Sequence, residues 1–284
     1  MMRILSKIRE ILPALFFNER SRNVNGKRRA NGDTSENDAI KKQISLHWST
    51  KSIETCPKRV RWWESLLIRK HYNRMVSGFE DEGLLEVAQR IANGRVYNEG
   101  VSVGCGNGWK EMHLIQRGLV KYFHLFELSD VRIGQGLELA RRMNMEDRVI
   151  FRSDDCFSSF DDNSVDFVHW NNSLHHMTDV NRAIQWSYAI LREGGMFYLD
   201  DFVGPSRFQW SEKSLSLVNR IRSVLPDRYL VSPYHPRERR VMLPRILTRP
   251  NPDKLKERDP SEAVQSDLII RYVKKYFPGV KITC

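Results

Sequence analysis

Cysteine is scarce in this chain of 284 residues: there are four, at Cys56, Cys105, Cys156 and Cys284. They lie far apart and none falls in a CxxC spacing. That argues against a disulfide framework and a cysteine-ligated zinc knot, and the default setting is reducing and cytoplasmic. No stretch approaches the roughly 20 consecutive apolar residues that span a bilayer. Residues 1–17 are apolar at one helical face, but Arg3, Lys7 and Arg9 lie off that face and Pro13 interrupts it. No small-residue cleavage site follows, so a secretory signal is not indicated. The segment reads as an amphipathic helix that packs on the body or a partner, or lies at a membrane surface. The body of the chain also lacks net charge. Of the +11 total, residues 1–75 hold 17 Lys/Arg against 7 Asp/Glu, whereas residues 76–284 hold 29 against 28. An almost neutral body argues against a core built as a nucleic-acid surface.

What is present suits a large folded domain, with 40% hydrophobic residues and ordinary Gly and Pro. Residues 1–45 read as a basic, partly disordered extension, with a polar linker over 21–42. Residues 46–95 read as a helical cap, including an aromatic helix over 59–76 with Trp62 and Trp63. From residue 96 strands and helices alternate. Strands are predicted at 100–103, 122–126, 149–153, 165–170 and 196–199. Helices are predicted at 110–116, 131–143, 181–191 and 212–224. The pattern predicts an α/β fold with a mostly parallel, doubly wound sheet and ligands beyond the carboxyl ends of its strands. Residues 226–260 hold seven prolines, too many for an ordinary connection, and read as a lid. A last helix runs to about Tyr276, and 280–283 begins a strand.

Val101 to Gly108 reads Val-Ser-Val-Gly-Cys-Gly-Asn-Gly. A short apolar strand runs into three glycines and then directly into a helix, the arrangement that brings a ligand close to bare backbone. The dinucleotide fingerprint GxGxxG is missing its third glycine, because Trp109 stands there. The Lys-Ser/Thr of a Walker phosphate loop is missing too. Glu127 ends the next apolar strand, where a carboxylate can accept hydrogen bonds from a ribose.

Five ordered motifs carry a resemblance. Gly104–Gly108 with Glu127 is the first. Asp154-Asp155 follows the third strand, and Asp161–Val168 forms a turn into the fourth. Ser173-Leu174-His175-His176-Met177 and Leu191-Arg192-Glu193-Gly194-Gly195 complete the set. Together they resemble the class I S-adenosylmethionine (SAM)-dependent methyltransferases, over about residues 98–203. The resemblance implies a Rossmann-like fold and SAM as cofactor. It places Gly104, Cys105, Gly106 and Gly108 along the methionine and ribose, and Glu127 on the ribose hydroxyls. Asp154 or Asp155 would face the adenine, with Asp154 better spaced. Asn171 or Asn172 would approach the methionine part. Asp166 reads as structural. Residues 202–210 and 259–264 resemble a bacterial subset associated with small-molecule or glycan biosynthesis. The family's fold usually ends in a reversed hairpin strand, whereas this sequence stops at about the start of its sixth strand, so the sheet is expected to be completed differently or the chain to be a fragment.

Methyl transfer from a sulfonium mainly needs alignment, and a base only when the acceptor must lose a proton. His176 and His175 are the candidate bases, because an imidazole titrates near neutrality. Asp200 and Asp201 end the fifth strand at the ligand-facing edge, and Asp201 joins the catalytic candidates. A metal-dependent O-methyltransferase would need a clearer cluster of Asp/Asn ligands than the pair Asp200-Asp201, so no metal site is expected. The expected function is methylation of a small-molecule or glycan acceptor, at a hydroxyl oxygen. The alternatives are an RNA methyltransferase using the basic N-terminal region, which the neutral body disfavours, and an inactive SAM-fold binding subunit.

Overall fold

The computed structural model describes residues 14–19, 34–53, 65–232 and 241–283. The strands are β1 (Ala14–Glu19), β2 (Tyr97–Val103), β3 (Val120–Phe126), β4 (Val149–Arg152), β5 (Val165–Asn171), β6 (Leu191–Asp201) and β7 (Lys281–Thr283). They form one sheet in the order β4-β3-β2-β5-β6-β1-β7. The first five in that order are mutually parallel. The chain leaves β2 toward β3 on one side and returns to β5 on the other. The order therefore reverses between β2 and β5, which is where such a sheet opens a crevice for a ligand. The α/β class and the Rossmann-like arrangement expected from the alternation are what is found.

The helices are α1 (Thr34–Ile53), α2 (Leu66–Ser77), α3 (Leu84–Ala92), α4 (Trp109–Gln116), α5 (Asp130–Met143), α6 (Val180–Ile190), α7 (Glu212–Val224), α8 (Pro252–Arg258) and α9 (Ile269–Tyr276). Their limits follow ordinary capping chemistry. Ser129 Oγ accepts from the Arg132 N–H to open α5, and Asn144 closes it in the left-handed region. Asp179 accepts from the Arg182 N–H to open α6. The apolar faces of α2 to α5 close one side of the sheet around Phe123, Leu125 and Phe167. Those of α6 and α9 close the other around Trp170, Phe197 and Phe277. β5 is buried on both faces for six of its seven residues, as a central parallel strand must be.

Two features depart from the sequence reading. The predicted linker over 21–42 overlaps α1, which begins at Thr34. Composition misleads there because α1 is fastened by polar rather than apolar contacts. Ser45 Oγ donates to the Leu128 carbonyl at 2.6 Å, Ser49 and Ser129 hydroxyls meet at 2.8 Å, and the Gln43 amide donates to the Glu257 carbonyl at 2.9 Å. The second departure is at the sheet edge. β1 lies antiparallel to β6 over six residue pairs, Ala14 opposite Asp201 to Glu19 opposite Met196, and β7 pairs antiparallel with β1. A strand from the N-terminal side thus occupies the place of the family's reversed hairpin strand. It includes the end of the segment expected to be an amphipathic helix; residues 1–13, Trp62, Trp63 and residues 233–240 of the Pro-rich segment lie outside the described residues. Among the described residues, no helix is long and apolar enough to cross a membrane.

Asp166, read as structural, is so: its carboxylate accepts from the backbone N–H groups of Asn98 and Glu99 and pairs with Arg192 at 3.2 Å. A second polar group is buried at the centre of the sheet. Glu111 on α4 accepts from Ser102 Oγ at 2.7 Å and meets His169 Nδ1 at 2.8 Å, and all three residues are buried. Burial opposes the Glu111 charge, but His169 and Ser102 outweigh it and hold the carboxyl below its ordinary range.

Candidate active site

The three glycines after β2 all have positive φ, between +61° and +68°, a conformation that side chains disfavour. Their surroundings divide their tasks. A Cβ on Gly104 would lie 2.7 Å from the Cβ of Ser173, so this glycine lets the turn after β2 close on the turn after β5. A Cβ on Gly108 would lie 2.8 Å from Leu125 Cδ1 and 3.0 Å from Phe151 Cζ, so this glycine seats α4 against the sheet. Gly108 therefore does the packing that the third glycine of a dinucleotide fold does, and Trp109, half exposed, has no such task. A Cβ on Gly106 would meet nothing closer than Arg132 Nη1 at 3.6 Å. That is ordinary van der Waals contact, so Gly106, at the reversal point of the sheet, has room for a Cβ beside Arg132.

Glu127 is buried at the tip of β3. Its Oε2 accepts from the Gly106 N–H at 2.8 Å and its Oε1 from the Ser129 N–H at 3.0 Å. Each oxygen keeps a lone pair for a further donor. Burial pushes the carboxyl above its ordinary range, against those two N–H groups and Arg132. Arg132 in turn lies 4.3 Å over the Trp48 ring of α1. With Ser45 and Ser49 also bonded here, α1 covers the crevice at Glu127.

The two adenine candidates separate. Asp154 is held in a two-pronged ion pair with Arg152, Nε to Oδ1 at 2.9 Å and Nη2 to Oδ2, and Ser159 also donates to it. The better-spaced acid of the sequence reading is thus committed to a structural pair. Asp155 is exposed and its Oδ1 accepts from the Phe157 N–H at 3.4 Å, a weak cap. Burial pushes the thiol of its neighbour Cys156 up to about 12. Cys105 is half-buried between Gly104 and Gly106, its thiol 3.6 Å from the Gly106 carbonyl.

The opposite wall begins where β5 ends. Asn171 donates weakly to Asp200 Oδ2 at 3.4 Å, and Asn172 is exposed in the left-handed region with its N–H on the Asp200 carbonyl. Consecutive residues of β6 point to opposite faces, so Asp200 and Asp201 part company. Asp201, fully buried, accepts from the N–H groups of Ser173, Leu174 and Phe202 at 2.7–2.9 Å and from His175 Nδ1. With its oxygens so engaged, it is a positioning group for His175 and not a base in its own right. Asp200 is on the other face. Its Oδ1 is buried with no hydrogen-bond partner among the described residues. Burial pushes its carboxyl up to about 6, Lys110 opposing and Asp201 adding.

His175 and His176 stand together at the mouth of this turn, ring centroids 4.2 Å apart. Burial opposes a charge on His175, yet Asp201 and Glu262 outweigh it and raise its basicity well above the ordinary imidazole. Burial and the adjacent His175 lower that of His176. The third contributor comes from residues 259–263. Glu262 Oε1 lies 3.5 Å from His175 Nε2, and Ser261 Oγ lies 3.0 Å from His176 Nδ1 while donating to Asp259 Oδ1 at 2.6 Å. Arg207 clamps that loop, donating to the carbonyls of Pro260 at 2.7 Å and Glu262 at 2.9 Å. Arg207, Phe208 and Ala263 all have φ near +50°, backbone strain of a kind that concentrates at functional sites. Phe202, Phe208 and Trp210 form an aromatic cluster beside His175.

The sequence reading found the glycines, Glu127 and both histidines. It placed Ser261 and Glu262 at the start of the last helix, which begins only at Ile269, and gave none of Glu262, Asp259, Ser261 and Trp48 a part in the site. The signal available for the first three was the Asp259–Val264 resemblance, and Trp48 had none.

Residues 101–199 match the sequence family described as Methyltransferase domain. Among curated proteins, 104 residues are 30% identical to 27-O-demethylrifamycin SV methyltransferase of Amycolatopsis mediterranei, covering 36% of this chain and 38% of that one. Among solved structures, a SAM-dependent methyltransferase from Geobacter sulfurreducens in complex with S-adenosyl-L-homocysteine is 16% identical, with 40% of this chain and 46% of that one covered and a TM-score of 0.35. The [4+2]-cyclase SpnF is 20% identical, with 56% and 59% covered and a TM-score of 0.42. The chain thus spans less than two thirds of the length of each of these relatives. The family match covers about a third of the chain and shows a likeness to methyltransferase domains over residues 101–199.

Proposed function

We propose that the protein transfers the methyl group of SAM to a hydroxyl of a small-molecule or glycan acceptor. The observation that carries the SAM half is the pairing of Gly106 with Glu127: a bare backbone with room for a Cβ beside Arg132, and a buried carboxylate with lone pairs to spare whose Oε2 lies 2.8 Å from the Gly106 nitrogen. These residues fit SAM, with Glu127 on the ribose hydroxyls, Gly104, Cys105, Gly106 and Gly108 along the ribose and methionine, Asp155 in preference to Asp154 at the adenine edge, and Asn171 or Asn172 toward the methionine part. When bound, SAM supplies a methyl carbon already activated by its sulfonium. The protein's own work is alignment and control of the acceptor's proton. His175 and His176 are the proposed catalytic groups for that proton, and Asp201 holds His175 in one orientation. The aromatic cluster of Phe202, Phe208 and Trp210 suits a flat or sugar-like acceptor. A small acceptor is also supported by the neutral body and by the likeness to the methyltransferase named for 27-O-demethylrifamycin SV.

The test is calorimetric titration with S-adenosylhomocysteine. Micromolar binding to the wild type, abolished in Gly106→Arg, is expected. Absence of binding in the wild type overturns the proposal.

A further inference from the structure

We propose that His175, His176 and Glu262 form a binding site for one divalent transition ion of the zinc class, on the acceptor side of the SAM cradle. The inference rests on the reading above and revises one part of it: with an ion bound, both imidazoles act as ligands, and the ion rather than a histidine loosens the acceptor's proton. One ligand atom from each of the three residues lies within 4.8 Å of the others, in a half-buried to buried pocket. Ions of this class bind histidine nitrogen and carboxylate oxygen at about 2.0–2.2 Å, so their ligands stand about 3–3.5 Å apart around the ion. The observed spacing needs only side-chain rotation of about 1 Å to reach that.

The orientation of each imidazole supports the assignment. Asp201 takes Nδ1 of His175 and leaves Nε2 directed toward Glu262. Ser261 takes Nδ1 of His176; because that hydroxyl donates to Asp259, it must accept from the ring, so His176 carries its proton on Nδ1 and presents the Nε2 lone pair. An oxygen on one ring nitrogen fixing the other as ligand is how metal-binding histidines are held. Two imidazoles and one carboxylate form a donor set for first-row ions rather than for Mg²⁺ or Ca²⁺, which take oxygen. The surroundings are anionic as well. Asp259 is 1% exposed, and its Oδ2 has no hydrogen-bond partner among the described residues although His176 Nδ1 and His47 Nε2 both stand 3.9 Å away. Arg207 offsets part of this charge from a distance, but its hydrogen bonds go to backbone carbonyls and leave the carboxylate oxygens free of it. At such an ion an acceptor hydroxyl is acidified and releases its proton to solvent water near neutral pH.

The site joins the turn after β5 to a loop 86 residues further on, so no local motif announces it. The experiment is titration of chelator-treated full-length protein with Zn²⁺, followed by calorimetry, and with Co²⁺, followed by visible absorption. One equivalent bound at micromolar Kd or tighter, with tetrahedral or five-coordinate Co²⁺ bands lacking thiolate charge transfer, is expected. Glu262→Gln and His176→Ala, checked for folding by circular dichroism, should each weaken binding at least tenfold. Wild-type protein that binds no stoichiometric ion, a thiolate signature, or unchanged affinity in folded Glu262→Gln overturns the proposal. S-adenosylhomocysteine titrated into the same sample separates the two readings: binding without metal uptake leaves the methyltransferase reading standing and removes only the ion.

Discussion

The three glycines of the β2 turn share one conformation, yet alanine at each should give a different phenotype. In the left-handed region an alanine costs about 1–2 kcal/mol relative to glycine. At Gly106 that is the whole cost to the fold, because the added Cβ meets nothing closer than 3.6 Å. At Gly108 the Cβ also lies 2.8 Å from Leu125 and 3.0 Å from Phe151, two side chains held in the core. Overpacking of that kind adds about 1–3 kcal/mol, for a total of about 2–5 kcal/mol. With about 2–4 °C of melting temperature per kcal/mol in a domain of this size, Gly108→Ala should melt about 4–20 °C below the wild type. Gly106→Ala should melt only a few degrees below it. Affinity should run the other way. The Gly106 methyl projects where a ligand would lie and should weaken S-adenosylhomocysteine binding by at least tenfold, about 1.4 kcal/mol. Gly108→Ala, assayed well below its melting point, should lose less. Differential scanning calorimetry and isothermal titration on the two variants decide the matter. If Gly106→Ala binds within threefold of the wild type, or is the less stable of the two, the division of tasks among the glycines is wrong.

Three further outcomes follow from the same structure. Glu111→Gln leaves His169 buried beside a neutral partner, and breaking a buried pair costs about 3–5 kcal/mol; urea unfolding at pH 7 should register most of it, and a loss under 1 kcal/mol would show that the pair is not held as described. Asp200 has a folded-state value raised from the ordinary 3.8 to about 6, so the folded form binds the extra proton, and stability from this group is greatest below pH 4 and falls as pH rises through 6. Asp200→Asn should therefore stabilise the protein at pH 7 by about 1–2 kcal/mol, after allowance for partial exposure, and lose that advantage at pH 4; an advantage that does not change with pH counts against a buried charge. Trp48→Ala removes the ring over Arg132, a contact of about 1–2 kcal/mol when partly desolvated, and should weaken S-adenosylhomocysteine binding several-fold by calorimetry; unchanged affinity means that α1 does not cover the ligand.

What the sequence made legible is what local pattern encodes. Five parallel strands, their covering helices and the glycine turn each follow from periodicity and turn chemistry within about 10 residues. Glu127 was visible because a carboxylate at the tip of an apolar strand has no packing reason to be there. The strand beside β6 was not visible, because its partner residues lie some 180 positions away and antiparallel pairing leaves no trace in either segment alone. The same holds for α1, whose attachment through hydroxyls and an amide gives it the composition of a linker.

The acceptor side failed for a sharper reason. Asp200 and Asp201 are adjacent in sequence and were weighed as a pair, but the two-residue period of a strand sends them to opposite faces. One becomes a saturated anchor for His175, the other a buried acid with a bare oxygen. His175 and His176 are likewise adjacent, and their environments drive them apart: Asp201 and Glu262 favour charge on the first, burial and the first histidine disfavour it on the second. Neither split is written in residue types. It is set by Glu262 and Ser261, brought in by a loop that Arg207 clamps through backbone carbonyls and that three residues near φ +50° hold under strain. A chain that accepts that strain in two interlocked segments, only to place a carboxylate 3.5 Å from a histidine already held by another carboxylate, is organised around the position between them. That position, and not either histidine alone, is where the chemistry of the acceptor is to be sought.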